Sequence, residues 1–227
     1  MIGATIVLRD LSLIYETSRI RTSAVTNLTL TIAAGDYCAV IGESGSGKSS
    51  LLGVLALLQR PTYGSYDLDG RDCLTLTARE RAQMRATAIG LVYQSSNLVP
   101  ELTLLDNVAL PMRYARVNKE ERVARAAAAL ESVGLGHRLS HFPDEVSGGQ
   151  QQRAAIARTI AQKPRLLLAD EPTGNLDSES GAEVMRLLGE LNAEGTTVVL
   201  VTHSEEYAQR ARKRVLMRDG AAVQIGE

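Results

Sequence analysis

The sequence contains no tryptophan, one phenylalanine and seven tyrosines, so aromatic residues amount to 4% of its 227 positions. A single aromatic in a special place therefore carries little weight by itself. Cysteine is nearly as scarce. Cys38 lies inside an apolar run and Cys73 after a turn, without the dense spacing of a disulfide scaffold or the paired spacing of a zinc site, and both read as reduced thiols. Charge of one sign is missing as well. The 25 basic and 26 acidic side chains leave a formal net charge of −1, which removes the broad basic field that draws proteins to polyanions. The run Arg210, Arg212, Lys213, Arg214 lacks interleaved aromatics for base stacking and reads as a solvated face, so no nucleic-acid partner is expected. The longest apolar stretch, Leu51 to Leu58, is far short of the roughly 18 residues that cross a bilayer. Arg9 and Asp10 stand where a signal peptide would be apolar, and the expectation is a cytoplasmic chain that does not itself enter the membrane. Repeats, low-complexity tracts and a Pro-, Gly- or Ser-rich linker are also absent, which argues for one unit with subdomains.

What is present is alternation, then short buried runs. Thr5–Leu8 and Leu28–Ile32 alternate as strands of an antiparallel piece at the start. Tyr37–Ile41, Ile89–Tyr93, Leu166–Ala169 and Thr197–Val201 are continuous apolar runs of the kind buried on both faces of a parallel sheet. Ser49 to Leu58 is an apolar helix stopped by Arg60-Pro61, and Arg79 to Arg85 is the exposed side of another. From about Leu102 to Gln162 the pattern is helical. Val123, Ala126, Ala127, Leu130 and Val133 fall at helical spacing there, with Gly134 placed to end the helix. The fold class is therefore α/β, a mostly parallel core with an N-terminal antiparallel β subdomain and an inserted α-helical subdomain, residues 95–163.

Three clusters carry chemistry. Gly42-Glu43-Ser44-Gly45-Ser46-Gly47-Lys48-Ser49 fits the phosphate-loop pattern G-x-x-x-x-G-K-[ST] between a strand and a helix. Glycines let backbone amides converge on phosphate oxygens, and the helix N-terminus adds partial positive charge. Lys48 would hold the β- and γ-phosphates and Ser49 would offer a hydroxyl to Mg²⁺. Asp170 and Glu171 end the strand Leu166–Ala169 at the edge where open α/β sheets bind ligands; Asp170 would face the metal and Glu171 would orient the attacking water. Two acids at a strand end are in general just solvated, and the phosphate loop on a neighbouring strand is what turns the reading toward catalysis. Ser147-Gly148-Gly149-Gln150 opens a further helix and fits a capping box. Capping does not explain two poor helix formers in the first turn, whereas close backbone approach to an anion does.

At these residues the chain resembles the ABC ATPases, of which the Ser147-Gly148-Gly149-Gln150 signature is the distinguishing motif. The resemblance covers the whole chain, 1–227, and implies a RecA-like phosphate-loop core with ATP and Mg²⁺ as cofactors. It also implies a homodimer, or a heterodimer with a related ATPase, in which the signature of one subunit completes the ATP site of the other. Tyr15 resembles the adenine-stacking A-loop aromatic, and Gln94 the Q-loop glutamine that reaches the metal. Asp177, in Asn175-Leu176-Asp177, resembles the D-loop aspartate, and His203 the switch histidine. Ser50 completes the implied ATP-binding set of Tyr15 and residues 42–50. Catalysis would fall to Glu171, His203, Gln94 and Lys48, and the metal to Ser49, Gln94 and Asp170. Asp170-Glu171-Pro172-Thr173-Gly174-Asn175-Leu176-Asp177, Val92-Tyr93-Gln94 and Met217-Arg218-Asp219-Gly220 look like the lipoprotein-release and macrolide-export branch, the LolD/MacB type. Val146, Ser204 and the segment Ser95-Ser96-Asn97 depart from that branch, where Leu, Asp and an early bulky aromatic are usual. The implied partner is an integral-membrane permease subunit that holds the chain at the inner face of the membrane. A cell-division-type ATPase that signals through its membrane subunit without transport is the alternative.

Overall fold

The computed structural model describes residues 3–16 and 21–226. Strands β1 (Ile6–Glu16), β2 (Arg21–Ile32), β4 (Tyr63–Leu68) and β5 (Arg71–Asp72) form an antiparallel sheet in the order β2-β1-β4-β5. Its inward positions repeat with the period of two that a half-buried strand requires, as at Leu28, Leu30 and Ile32 on β2. The second sheet contains β3 (Tyr37–Ile41), β6 (Ile89–Tyr93), β7 (Leu166–Asp170), β8 (Thr197–Val201), β9 (Lys213–Arg218) and β10 (Ala221–Gly226), in the order β10-β9-β3-β8-β7-β6. Its pairs are parallel except β9–β10, which is antiparallel.

Successive residues of these parallel strands feed two different cores. Cys38, Val40, Leu166, Leu168, Val199 and Val201 pack with the antiparallel sheet and helix α1 (Lys48–Leu55). Tyr37, Ala39, Leu167, Ala169, Val198 and Leu200 pack on the opposite face, with helices α3 (Leu104–Tyr114), α4 (Lys119–Ser132), α5 (Gly148–Gln162) and α6 (Ser178–Ala193). A strand covered on both sides needs apolar residues at every position, which is why these runs do not alternate. Each fully buried Leu or Val contributes about 1.5–3 kcal/mol relative to exposure.

Between β6 and β7, which lie side by side in the sheet, the chain departs to build α3, α4 and α5. Their N-termini are capped by Thr103, Asn118 and Ser147, whose side chains accept from the amides of Asp106, Glu121 and Gln150. Gly134 follows α4 with φ +74°, the left-handed conformation that ends a helix. Val123 differs from the apolar stripe expected of it, since it is among the exposed large side chains while Ala126 and Leu130 are buried. Helix α2 (Ala78–Ala88) buries no residue, in keeping with its charged sequence. Helix α1 stops at Leu55, three residues before the expected end at Leu58. Leu57 takes φ +57°, and the amides of Leu58 and Gln59 both turn back to the Gly53 carbonyl.

Candidate functional site

The loop from β3 into α1 is shaped by its glycines. Gly47 has φ +101°, and a Cβ there would stand 2.1 Å from the Ala24 carbonyl oxygen. At Gly42, with φ +150°, a Cβ would stand 2.2 Å from the Met217 carbonyl oxygen. Both positions are closed to any side chain, so the loop is clamped between β2 and β9. Helix α1 has no side-chain cap, which leaves its first-turn amides as donors for an anion. The Lys48 Nζ donates to the carbonyls of Gly42 and Glu43, each at 2.7 Å, and so lies over the loop. Ser46 Oγ is buried without a hydrogen-bond partner, a further donor enclosed by the same cradle.

The C-terminal edge of β7 brings the two carboxylates to this cradle. Ser49 Oγ donates to Asp170 Oδ1 at 3.3 Å. Burial pushes the Asp170 carboxyl above the usual carboxylate range; the Ser49 hydrogen bond opposes that, the Glu171 charge adds to it and Lys48 opposes it. Glu171 takes φ +46°, a conformation that costs a non-glycine residue on the order of 1–3 kcal/mol and is retained when its surroundings fix it. Its amide donates to Val201 O on β8 at 2.9 Å and its carbonyl accepts from Gly174 N at 3.0 Å. Just past the end of β8, His203 Nδ1 donates to Glu171 Oε2 at 2.8 Å. The His203 side chain is 74% exposed and that of Glu171 20%, so the imidazole forms the outer wall of the pair.

Gln94 follows β6 and points its amide at Asn175, donating from Nε2 to Oδ1 at 3.1 Å. Asn175 Nδ2 donates back to the Gln94 carbonyl at 3.4 Å, and a Cβ on Gly174 would meet Gln94 Nε2 at 2.8 Å. Beyond Gln94, Arg158 of α5 donates to the Ser96 and Asn97 carbonyls, so the departing segment 95–97 is tied to the helix that Ser147 begins. Tyr15 stands at the other end of the cleft, 42% exposed, with its hydroxyl donating to Gln59 Oε1 at 2.7 Å.

A cleft of about 680 Å³ unites Tyr15, the phosphate loop with Lys48, Ser49 and Ser50, Gln94, Asp170, Glu171 and His203. Thr22, Ser23 and Ala24 of β2 form a wall that the sequence did not reveal. Asn175 was legible only as a motif letter, and its contact with Gln94 spans 81 residues of chain. Gln59 carried no signal at all. Two expected groups lie outside the cleft. Ser147 and Gln150 make the reciprocal capping box at the start of α5, with Ser147 N donating to Gln150 Oε1 at 3.0 Å and Gln150 N to Ser147 Oγ at 3.3 Å. Asp177 caps α6 through the Ser180 amide, and that bond holds its carboxyl below the usual range. The two signature glycines then part company. A Cβ on Gly149 would meet Ser180 Oγ at 2.5 Å, whereas one on Gly148 would meet nothing within 4 Å. Gly149 has its reason inside the chain, and Gly148 has none there.

The family model described as ABC transporter matches residues 25–174, a span that holds the phosphate loop, the signature and both carboxylates. The chain belongs to this family. It is 44% identical over 218 residues to the uncharacterized ABC transporter ATP-binding protein YvrO of Bacillus subtilis, covering 96% of this chain and 95% of that one. It is 45% identical over 221 residues to the macrolide export ATP-binding/permease protein MacB of Brucella melitensis, covering 97% of this chain but 34% of that protein. The fold superposes with a TM-score of 0.91 on the ATP-binding cassette MJ0796 in a dimeric post-hydrolysis state bound to ADP and Pi, at 36% identity and 98% coverage of each chain. An ABC cassette is an ATPase subunit, and this chain is an α/β phosphate-loop enzyme of that kind. No helix among the described residues is long and apolar enough to cross a membrane.

Proposed function

We propose that two such cassettes close head to tail around two Mg·ATP and pass the motion of closing and reopening to a separate integral-membrane subunit, for macrolide-type export or lipoprotein release. The observation that carries this reading is a separation. Of the residues expected to touch ATP in cis, all but the buried Ser46 line one cleft, while Ser147 and the open backbone of Gly148, at the start of α5, are not part of its lining. A partner's nucleotide would meet that open backbone, a reading that the dimeric form of the similar cassette MJ0796 supports.

Within the cleft, Glu171 orients and polarises the attacking water, with His203 fixing the carboxylate and donating toward the γ-phosphate. The loop amides and Lys48 bind the phosphates, exchanging the Gly42 and Glu43 carbonyls for phosphate oxygens. Ser49 and Asp170, already in contact, form the hydroxyl and carboxylate pair that suits Mg²⁺, with Gln94 on the same side. Mg²⁺ would neutralise charge on the β- and γ-oxygens. Asp177, at the head of α6, would face the partner cassette. The permease is assigned to the apolar groove of about 510 Å³ between the core and the helical segment, lined by Leu58, Ile89, Leu110, Pro111 and Tyr114. Tyr114 stands 69% exposed at its rim, and the groove lies beside Asn97 of the segment that leads from Gln94 to α5. Attachment there would hold the chain at the inner face of the membrane.

Complementation of two inactive mutants tests the shared site. Lys48→Ala damages the phosphate-loop half, and Ser147→Arg places a bulky cation at the signature half; each alone should abolish hydrolysis. In a two-fold dimer a mixed pair collects both lesions in one site and leaves the other whole. Mixing equal amounts, with the membrane partner present if isolated dimers prove too weak, should restore ATPase activity. Normal hydrolysis by Ser147→Arg alone under dimerising conditions would reduce the signature to a helix cap.

A further inference from the structure

Tyr15 approaches the cleft from β1, yet its hydroxyl is anchored elsewhere. Gln59 accepts that hydroxyl at 2.7 Å through Oε1, and Ser50 Oγ lies 3.4 Å away. Gln59 is itself fixed in three ways. Its amide donates to the Gly53 carbonyl at 3.1 Å, and Leu57 turns the chain back with φ +57°. Its side chain lies across Gly53, where a Cβ would come within 3.2 Å of the Gln59 carboxamide. A larger residue at position 53 would push the carboxamide aside by a few tenths of an ångström or more. Helix α1 therefore presents the phosphate-binding amides at one end and, one tight turn past the other end, the acceptor that holds the aromatic ring.

We propose that Gln59 is a positioning residue for the nucleotide base: by accepting from Tyr15 it fixes the ring plane on which a purine stacks, in register with the phosphate loop. This rests on Tyr15 being the stacking platform. Without the anchor, the ring of a 42% exposed tyrosine on an edge of the cleft can rotate about its side-chain bonds, and each bound nucleotide must then order it. The phosphate half of the site does not depend on the anchor.

The test measures Mg·ATP and Mg·tripolyphosphate binding by calorimetry, with steady-state ATPase kinetics, on the full chain. Gln59→Leu and Tyr15→Phe should each weaken ATP about two- to fivefold, the size expected for one lost, partly exposed hydrogen bond. The loss should fall on KM, with kcat retained. The double variant should be no weaker than either single one, and Gln59→Glu, which keeps an acceptor oxygen, should recover the affinity. Tripolyphosphate has no base, so its affinity should be the same in all of them. Weakened tripolyphosphate binding in Gln59→Leu would mean that α1 had been disturbed and would overturn the positioning role. So would unchanged ATP affinity in both Gln59→Leu and Tyr15→Phe while Tyr15→Ala loses tenfold, an outcome that leaves stacking intact. Unchanged ATP affinity in Tyr15→Ala would instead remove the stacking reading, and the proposal with it.

Discussion

Gly148 offers a direct way to ask whether a second molecule completes the site. It is the first residue of α5, and an added Cβ would have no neighbour within 4 Å in its own chain. Alanine in a helix is favoured over glycine by about 0.5–1 kcal/mol. For a chain of this size that raises Tm by roughly 1–4 °C. Gly148→Ala should thus be a slightly stabilised protein. Hydrolysis should move the other way. If a phosphate of the partner's nucleotide must reach the bare backbone, a methyl group displaces it and weakens charge-assisted hydrogen bonds worth about 1.5–3 kcal/mol. A loss of that size carried into the transition state is about 10- to 100-fold in rate. Gly149→Ala supplies the contrast, because its methyl meets Ser180 Oγ at 2.5 Å and Ser180 Cβ at 3.0 Å. Overpacking of that kind destabilises by about 1–3 kcal/mol. Thermal melting and phosphate release at saturating Mg·ATP, measured on both variants under dimerising conditions, separate the two. Full hydrolysis by Gly148→Ala would refute the argument, and so would a fall in Tm as large as that of Gly149→Ala.

Gly47→Ala should lose ATP binding and melt at lower temperature, since φ +101° and the Ala24 oxygen at 2.1 Å both exclude a methyl; Gly45→Ala, with φ +81° but open space, should cost only the backbone strain of about 1–2 kcal/mol. Calorimetry and melting curves check both, and wild-type affinity in Gly47→Ala would show that the loop is not clamped against β2. Burial pushes the Cys38 and Cys73 thiols up to about 12, well above the ordinary range of a thiol. A raised folded pKa gives stability that is present below the unfolded value and lost as pH rises through the window from there to about 12. The urea midpoint should accordingly fall through that alkaline window. A thiol reagent at pH 8 should react only as fast as the chain unfolds, and a rapid native-state reaction would contradict the burial.

The parts of this molecule that were legible in the sequence are those whose physics is local. A glycine-rich loop between an apolar strand and a helix, acids at a strand end and a serine that caps a helix each declare themselves within about eight residues. Two elements needed correction for equally local reasons. Helix α1 ends early because Leu57 adopts a left-handed turn that a leucine does not advertise, and Val123 lies on the outer side of α4 although its spacing admits it to the stripe. The rest was hidden because it depends on distance along the chain. Thr22, Ser23 and Ala24 become a wall of the cleft only through the sheet that carries β2 past the phosphate loop, and Gln59 reaches Tyr15 across 44 residues.

Glu171 shows why such a site needs the whole sheet. Nothing in Asp170-Glu171-Pro172 announces a positive φ, and the strain is held by the hydrogen bond that the Glu171 amide donates to the carbonyl of Val201, the last residue of the neighbouring strand. The parallel register sets Asp170 opposite Val201. That pairing places Glu171 just beyond β7 and His203 just beyond β8, within 2.8 Å of each other. A slip of one residue between the two strands would turn every side chain of one of them to the other face, removing Leu166 and Leu168 or Val199 and Val201 from their core. The apolar alternation between the two cores therefore fixes the register, and the register brings the carboxylate and the imidazole together. Packing far from the cleft thus sets the geometry on which hydrolysis depends.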